Sequence, residues 1–161
     1  MKTLFLVRHA KSSRDDPSLP DRERPLNERG LHDAPAMGKR LAKRHVQPDL
    51  LVSSPATRAW TTAQLIAAEI GHDVQAIVVD ERLYAARVGD LLAIVRALDS
   101  KADCVMLFGH NPEFSEVAGR LAGQAVDMPT CAVAQFAFDI RSWADVGALE
   151  PARFALDSPG K

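Results

Sequence analysis

Short apolar runs alternate with amphipathic helical stretches along most of this chain, and that alternation constrains the fold more than anything else in it. Leu4-Phe5-Leu6-Val7 within 3–8, Asp49-Leu50-Leu51-Val52-Ser53, residues 75–79 and Cys104-Val105-Met106-Leu107-Phe108 read as strands. Between them lie stretches with apolar residues at helical spacing: Leu31, Ala34, Met37 and Leu41, then Trp60, Ala63, Ala67 and Ile70, then Leu91, Leu92, Val95 and Leu98. A strand–helix repeat of this kind predicts an α/β fold, a three-layer α/β/α sandwich with a mainly parallel central sheet. The run 104–108 is apolar throughout, so it belongs at the sheet centre, where both faces are covered. Residues 132–139 and 152–157 read as closing, antiparallel strands. No internal repeat or composition break divides the 161 residues, so 1–161 is expected to form one domain. A chain of this length buries roughly 70% of its unfolded surface, enough for one core.

The punctuation between elements is specific. Asn27 is a predicted N-cap for a helix reaching about Arg44, with Pro35 imposing a kink or a later start. Ser54-Pro55 and Asn111-Pro112 each place a capping side chain before a proline at the first helical position. Residues 10–26 are polar, carry Pro17, Pro20 and Pro25, and form a loop long enough to be functional or mobile.

Composition excludes several classes. A net charge of −1 leaves no excess for a nucleic-acid surface or an anionic membrane. No apolar stretch approaches the ~20 residues of a membrane span. Cys104 and Cys131 have no CxxC spacing and read as free thiols of a reducing compartment. Residues 1–9 lack a signal-peptide pattern, so a soluble cytoplasmic protein is expected. The five histidines make no HxxxH or HEXXH pattern, which argues against a metal site, and His32, His45 and His72 sit in polar surroundings expected at the surface.

Chemistry gathers at three strand-to-helix junctions. The first carries Arg8 and His9, the second Ser53, Ser54 and, one turn into the helix, Arg58, and the third His110 and Asn111. If the three strands are parallel neighbours, these groups meet outside the strands' carboxyl ends, where open α/β sheets bind ligands. Helix N-termini and two guanidinium forks suit a phosphate there, and each charge-assisted hydrogen bond contributes ~1.5–3 kcal/mol.

The ordered set Arg8-His9-Ala10, Arg24-Pro25-Leu26-Asn27-Glu28-Arg29-Gly30, Ser53-Ser54-Pro55-Ala56-Thr57-Arg58-Ala59 and Gly109-His110-Asn111 resembles the histidine phosphatase (phosphoglycerate mutase-like) superfamily. Short length, Val52-Ser53-Ser54-Pro55 and Gly89-Asp90-Leu91-Leu92 resemble its SixA-type phosphohistidine phosphatases. The resemblance implies that His9 is the nucleophile and becomes transiently phosphorylated. It implies that Arg8, Arg58 and His110 hold the phosphoryl oxygens, with no metal or other cofactor. Arg24, reaching in from the long loop, and Asn111, beside His110, are candidate substrate-binding residues. Glu81 is the candidate general acid, with Asp80 and Asp90 behind it. Asn27 stands where the family commonly has Thr or Ser.

An imidazole buried beside two arginines is expected to stay neutral near pH 7, ready to attack phosphorus once its other nitrogen holds the proton. The leading reading is a phosphatase acting on a phosphorylated histidine-containing protein domain. The alternatives are a small phosphorylated substrate cleaved on the same scaffold with the help of an acid, and a non-catalytic phosphate- or polyphosphate-binding module.

Overall fold

A computed structural model describes residues 1–160. Six strands form one sheet: β1 (Lys2–Arg8), β2 (Leu50–Ser53), β3 (Val78–Val79), β4 (Cys104–Gly109), β5 (Val133–Phe138) and β6 (Arg153–Asp157), in the order β3-β2-β4-β1-β5-β6. The first four in that order run parallel, and β5 and β6 add an antiparallel margin. The apolar run 104–108 is central, between β2 and β1, as its composition demands.

Helices cover both faces. α1 (Glu28–Lys43) and α2 (Thr57–Ile70) pack together on one side, and α3 (Val88–Arg96) and α4 (Glu113–Ala122) on the other. β1 divides its side chains between the two by the two-residue period of a strand. Phe5 and Val7 pack with Ala34, Met37 and Ile66 under α1 and α2. Leu4 and Leu6 pack with Leu91, Phe114 and Val117 under α3 and α4. The three-layer sandwich expected from the alternating pattern is the observed fold.

Local signals hold with shifts. Asn27 caps α1 by accepting from Gly30 N at 2.9 Å, and the helix runs unbroken through Pro35. α2 begins at Thr57, not at Pro55: Ala56 is its N-cap, and the Ser54 hydroxyl accepts from Ala56 N, one residue before the helix. α4 begins at Glu113 with Pro112 as N-cap, although the Asn111 side-chain Oδ1 still accepts from Ser115 N at 3.1 Å. The strand expected over 75–79 shrinks to Val78–Val79, because residues 74–76 wind into a 3-10 turn that Asp73 caps through Gln75 N.

Candidate active site

Register sets the geometry. Arg8 lies opposite Gly109, and Ser53 opposite Phe108, so His9, Ser54 and His110 leave the carboxyl ends of three adjacent parallel strands together. The exits are pinned by backbone bonds: His9 N donates to Gly109 O at 3.0 Å and Ser54 N to Phe108 O at 2.9 Å. The His9 and His110 ring centres are 5.2 Å apart. A cleft of about 870 Å³ opens there, and Arg8, His9, Arg24, Arg58, His110 and Asn111 all line it.

His9 is buried, and its Nδ1 lies 2.7 Å from Ala10 O. A carbonyl only accepts, so Nδ1 carries the proton and Nε2 keeps its lone pair. The Ala10 peptide is itself held: its N–H donates to Thr62 Oγ1 at 3.0 Å, and that hydroxyl donates to Arg58 O at 2.7 Å. Thr62 therefore ties the turn after His9 to the helix that carries Arg58. Burial lowers the His9 pKa to about 4 against the opposing Ala10 bond, and the charges of Arg58, Arg8 and Arg24 add to the lowering. The imidazole is neutral at pH 7, as its setting predicts.

His110 is the second buried imidazole. Its Nε2 meets Ser54 Oγ at 2.8 Å, and Ala56 N donates to the same hydroxyl at 3.2 Å. A Ser54 hydroxyl that accepts from Ala56 and donates to Nε2 leaves the proton on Nδ1, which has no hydrogen-bond partner. Burial first, then His9, Arg58 and Arg8, lower the His110 pKa to about 3. The Ser54 side chain thus serves both the site and the turn that leads into α2.

The arginines are held from the side. Arg8 Nη1 donates to Met128 O at 3.0 Å. Arg58, buried, gives Nη1 to Asp21 O at 2.7 Å and Nη2 to Asp21 Oδ2 at 3.0 Å. Arg24 gives Nε to Asp21 Oδ1 at 3.1 Å and Nη1 to Ser12 Oγ at 2.7 Å. Asn111 lines the cleft but spends its side chain on structure, donating to Met128 O at 2.8 Å and accepting from Ser115.

Glu81 is not brought into the cleft. It is exposed in a 3-10 turn, Glu81–Leu83, where Arg22 Nη2 holds both its oxygens, at 2.9 and 2.7 Å. Asp80 caps that turn and pairs with Arg82, and Asp90 accepts from Arg87 N. The residues missed by sequence reasoning are Thr62, Asp21, which joins Arg24 and Arg58, and Tyr84, whose hydroxyl donates to Asp21 Oδ2 at 2.7 Å and whose ring stands edge-on to His110 at 5.6 Å. The one signal for Asp21 is its spacing, three residues before Arg24; Tyr84, 63 positions away, has none. Among the described residues, no three His, Cys, Asp or Glu side chains group as a metal site would require, and no helix is long and apolar enough to cross a membrane.

A phosphoryl-handling α/β enzyme is the class that this fold and cleft define. The chain belongs to the histidine phosphatase superfamily, whose branch 1 model matches residues 4–111. Among solved structures it resembles the candidate phosphohistidine phosphatase SixA of Agrobacterium tumefaciens: 30% identity, TM-score 0.80 and 99% of each chain covered. It shares the fold of the protein histidine phosphatase SixA complexed with tungstate, at TM-score 0.80 and 24% identity over 98% of this chain and 97% of that one. An uncharacterised chloroplast protein of Arabidopsis thaliana is 31% identical over 99% of this chain and 73% of its own length. Within the superfamily the chain is a phosphatase of SixA-like form.

Proposed function

We propose that this phosphatase removes phosphoryl groups from phosphohistidine-bearing proteins through a phosphohistidine formed on His9. One observation carries the reading. Among the described residues, the buried side-chain polar atoms without a hydrogen-bond partner are Arg8 Nε, Arg58 Nε and His110 Nδ1. Buried polar groups are otherwise paired almost without exception, because leaving one unpaired costs ~1–3 kcal/mol. Three unmet groups on residues lining one cleft beside a neutral imidazole fit a ligand with several oxygens. A phosphoryl group supplies them, and its charge in the transition state is what such donors stabilise.

In this mechanism His9 Nε2 attacks phosphorus with its free lone pair, and Nδ1–H stays on Ala10 O. Arg8, Arg58 and His110 hold the oxygens, and Arg24 adds positive charge from the loop. The bond from phosphorus to the substrate's imidazole nitrogen breaks with its electron pair, and a proton on that ring's other nitrogen lets the group depart as neutral imidazole. Water then attacks the phosphoryl group on His9, releasing phosphate and restoring the imidazole.

The leaving group narrows the substrate. An alkoxide needs a proton as it departs, but Glu81 lies outside the cleft and pairs with Arg22. Asp21 is held by two arginines and Tyr84, which keep it ionised, so it has no proton to give. A departing imidazole needs far less help, and this favours phosphohistidine over phosphate esters.

The test is a panel of phosphohistidine-carrying phosphotransfer proteins beside small phosphate esters, with acid quenching to trap an acid-labile phosphoenzyme. Faster turnover of phosphohistidine is expected, with His9→Ala abolishing turnover and trapping while phosphate still binds. Faster ester turnover that Glu81→Gln abolishes would overturn the substrate assignment, and unchanged turnover in His9→Ala would overturn the nucleophile.

A further inference from the structure

Asp21 receives four hydrogen bonds from three side chains on separate elements. Its carboxylate accepts from Tyr84 Oη at 2.7 Å, Arg58 Nη2 at 3.0 Å and Arg24 Nε at 3.1 Å, and its main-chain carbonyl accepts from Arg58 Nη1 at 2.7 Å. The residue lies in a short 3-10 turn, Asp21–Glu23, of the long loop. An ordinary exposed aspartate is solvated; this one joins the loop, α2 and the 81–84 turn.

We propose that Asp21 is a positioning residue that sets which edge of Arg58 the substrate meets and holds Arg24 beside it. The inference rests on the reading of the cleft as a phosphoryl site. Two like-charged guanidiniums repel each other, and a shared carboxylate offsets that repulsion and lets both converge. The fork geometry gives it direction. Both terminal nitrogens of Arg58 are fixed on Asp21, so the Nε–H edge is the buried one left unmatched. Through Tyr84 the same carboxylate steadies the edge-on contact against the His110 ring. Asp21 touches neither nucleophile nor phosphorus; it acts through residues that do.

Electrostatics alone predicts the opposite of positioning. Asp21→Asn removes a negative charge from beside an anion site, and a simple charge effect would tighten oxyanion binding. Positioning predicts that it weakens. The probe is tungstate, titrated calorimetrically into wild type, Asp21→Asn, Tyr84→Phe and the double variant, with turnover of p-nitrophenyl phosphate beside it. Asp21→Asn is expected to weaken tungstate binding about tenfold and to lower kcat/KM at least as much, the scale of one charge-assisted hydrogen bond. Tyr84→Phe, which leaves the carboxylate charge in place, shows a smaller loss in the same direction. The double variant is no worse than Asp21→Asn, because both act through one network. Tungstate binding that is unchanged or tighter in Asp21→Asn overturns the proposal, and so do additive losses. Wild-type enzyme that cleaves esters but not phosphohistidine overturns the substrate reading alone, and the direction of the tungstate change still decides Asp21.

Discussion

Two neutral imidazoles buried side by side make this protein sensitive to mild acid, in a pH range where its carboxylates contribute little. His9 and His110 titrate at about 4 and about 3 in the folded chain, against 6.5 for the free side chain. Between pH 6.5 and those values the unfolded chain binds two protons that the native one refuses, so stability falls as pH falls. Each refused proton costs about 1.4 kcal/mol per pH unit once the unfolded histidine is charged. From pH 7 to pH 5 the loss is about 2 kcal/mol per histidine and about 4 kcal/mol for the pair, a large part of the ~5–15 kcal/mol that holds a domain together. Asp21, Asp80 and Asp103 lie below their ordinary 3.8, and add their own acid loss only below about pH 4. Urea unfolding at pH 7, 6 and 5 measures the slope, and His9→Gln and His110→Gln each remove one titrating group. Each variant is expected to lose about 2 kcal/mol over this range, half the wild-type loss. Equal pH slopes in all three proteins would refute the reasoning, whatever the variants' absolute stabilities.

Thr62→Val keeps the shape but leaves Ala10 N–H buried and unpaired. It should cost ~1–3 kcal/mol in urea unfolding and lower kcat as the His9 turn loosens; unchanged kcat would sever Thr62 from the site. Gly30→Ala improves intrinsic helix propensity by ~1 kcal/mol, yet its Cβ would lie 2.2 Å from Lys11 O. It should destabilise by ~2 kcal/mol or more and weaken phosphate binding, because α1 docks there on the segment after His9; a raised thermal midpoint would show the chain yielding freely. Glu81→Gln breaks only the exposed pair with Arg22, worth ~0–1 kcal/mol, so phosphohistidine turnover should change less than threefold in steady-state kinetics.

What was legible in the sequence is what is decided locally or by periodicity. The run 104–108 is apolar at every position because both faces of a central strand are covered, and β1 alternates between two cores because strand side chains do. The meeting of His9, Ser54 and His110 follows from parallel neighbours exiting one sheet edge, so a correct strand reading brings them together without any contact being known. β3 is shorter than the apolar run Ala76-Ile77-Val78-Val79 suggests, because Asp73 offers the backbone a turn instead. Hydroxyls and charges are harder, because they take whichever partner the fold delivers. Ser54 precedes a proline as a cap does, yet its hydroxyl sits beside a histidine 56 residues away. Glu81 is a candidate acid only through the family resemblance; Asp80-Glu81-Arg82 is an ordinary charged run, and nothing nearby in sequence points to Arg22, 59 positions earlier. Asp21 is the sharpest case: its place before Arg24 is local, but its effect on Arg58 exists only once the loop crosses α2. Main-chain position at this sheet edge follows from the strand pattern, whereas Arg58, Glu81 and His110 are each oriented by a partner far along the chain. Substitutions at Asp21, Thr62 or Ser54 should therefore damage the site while leaving the strand and helix pattern untouched.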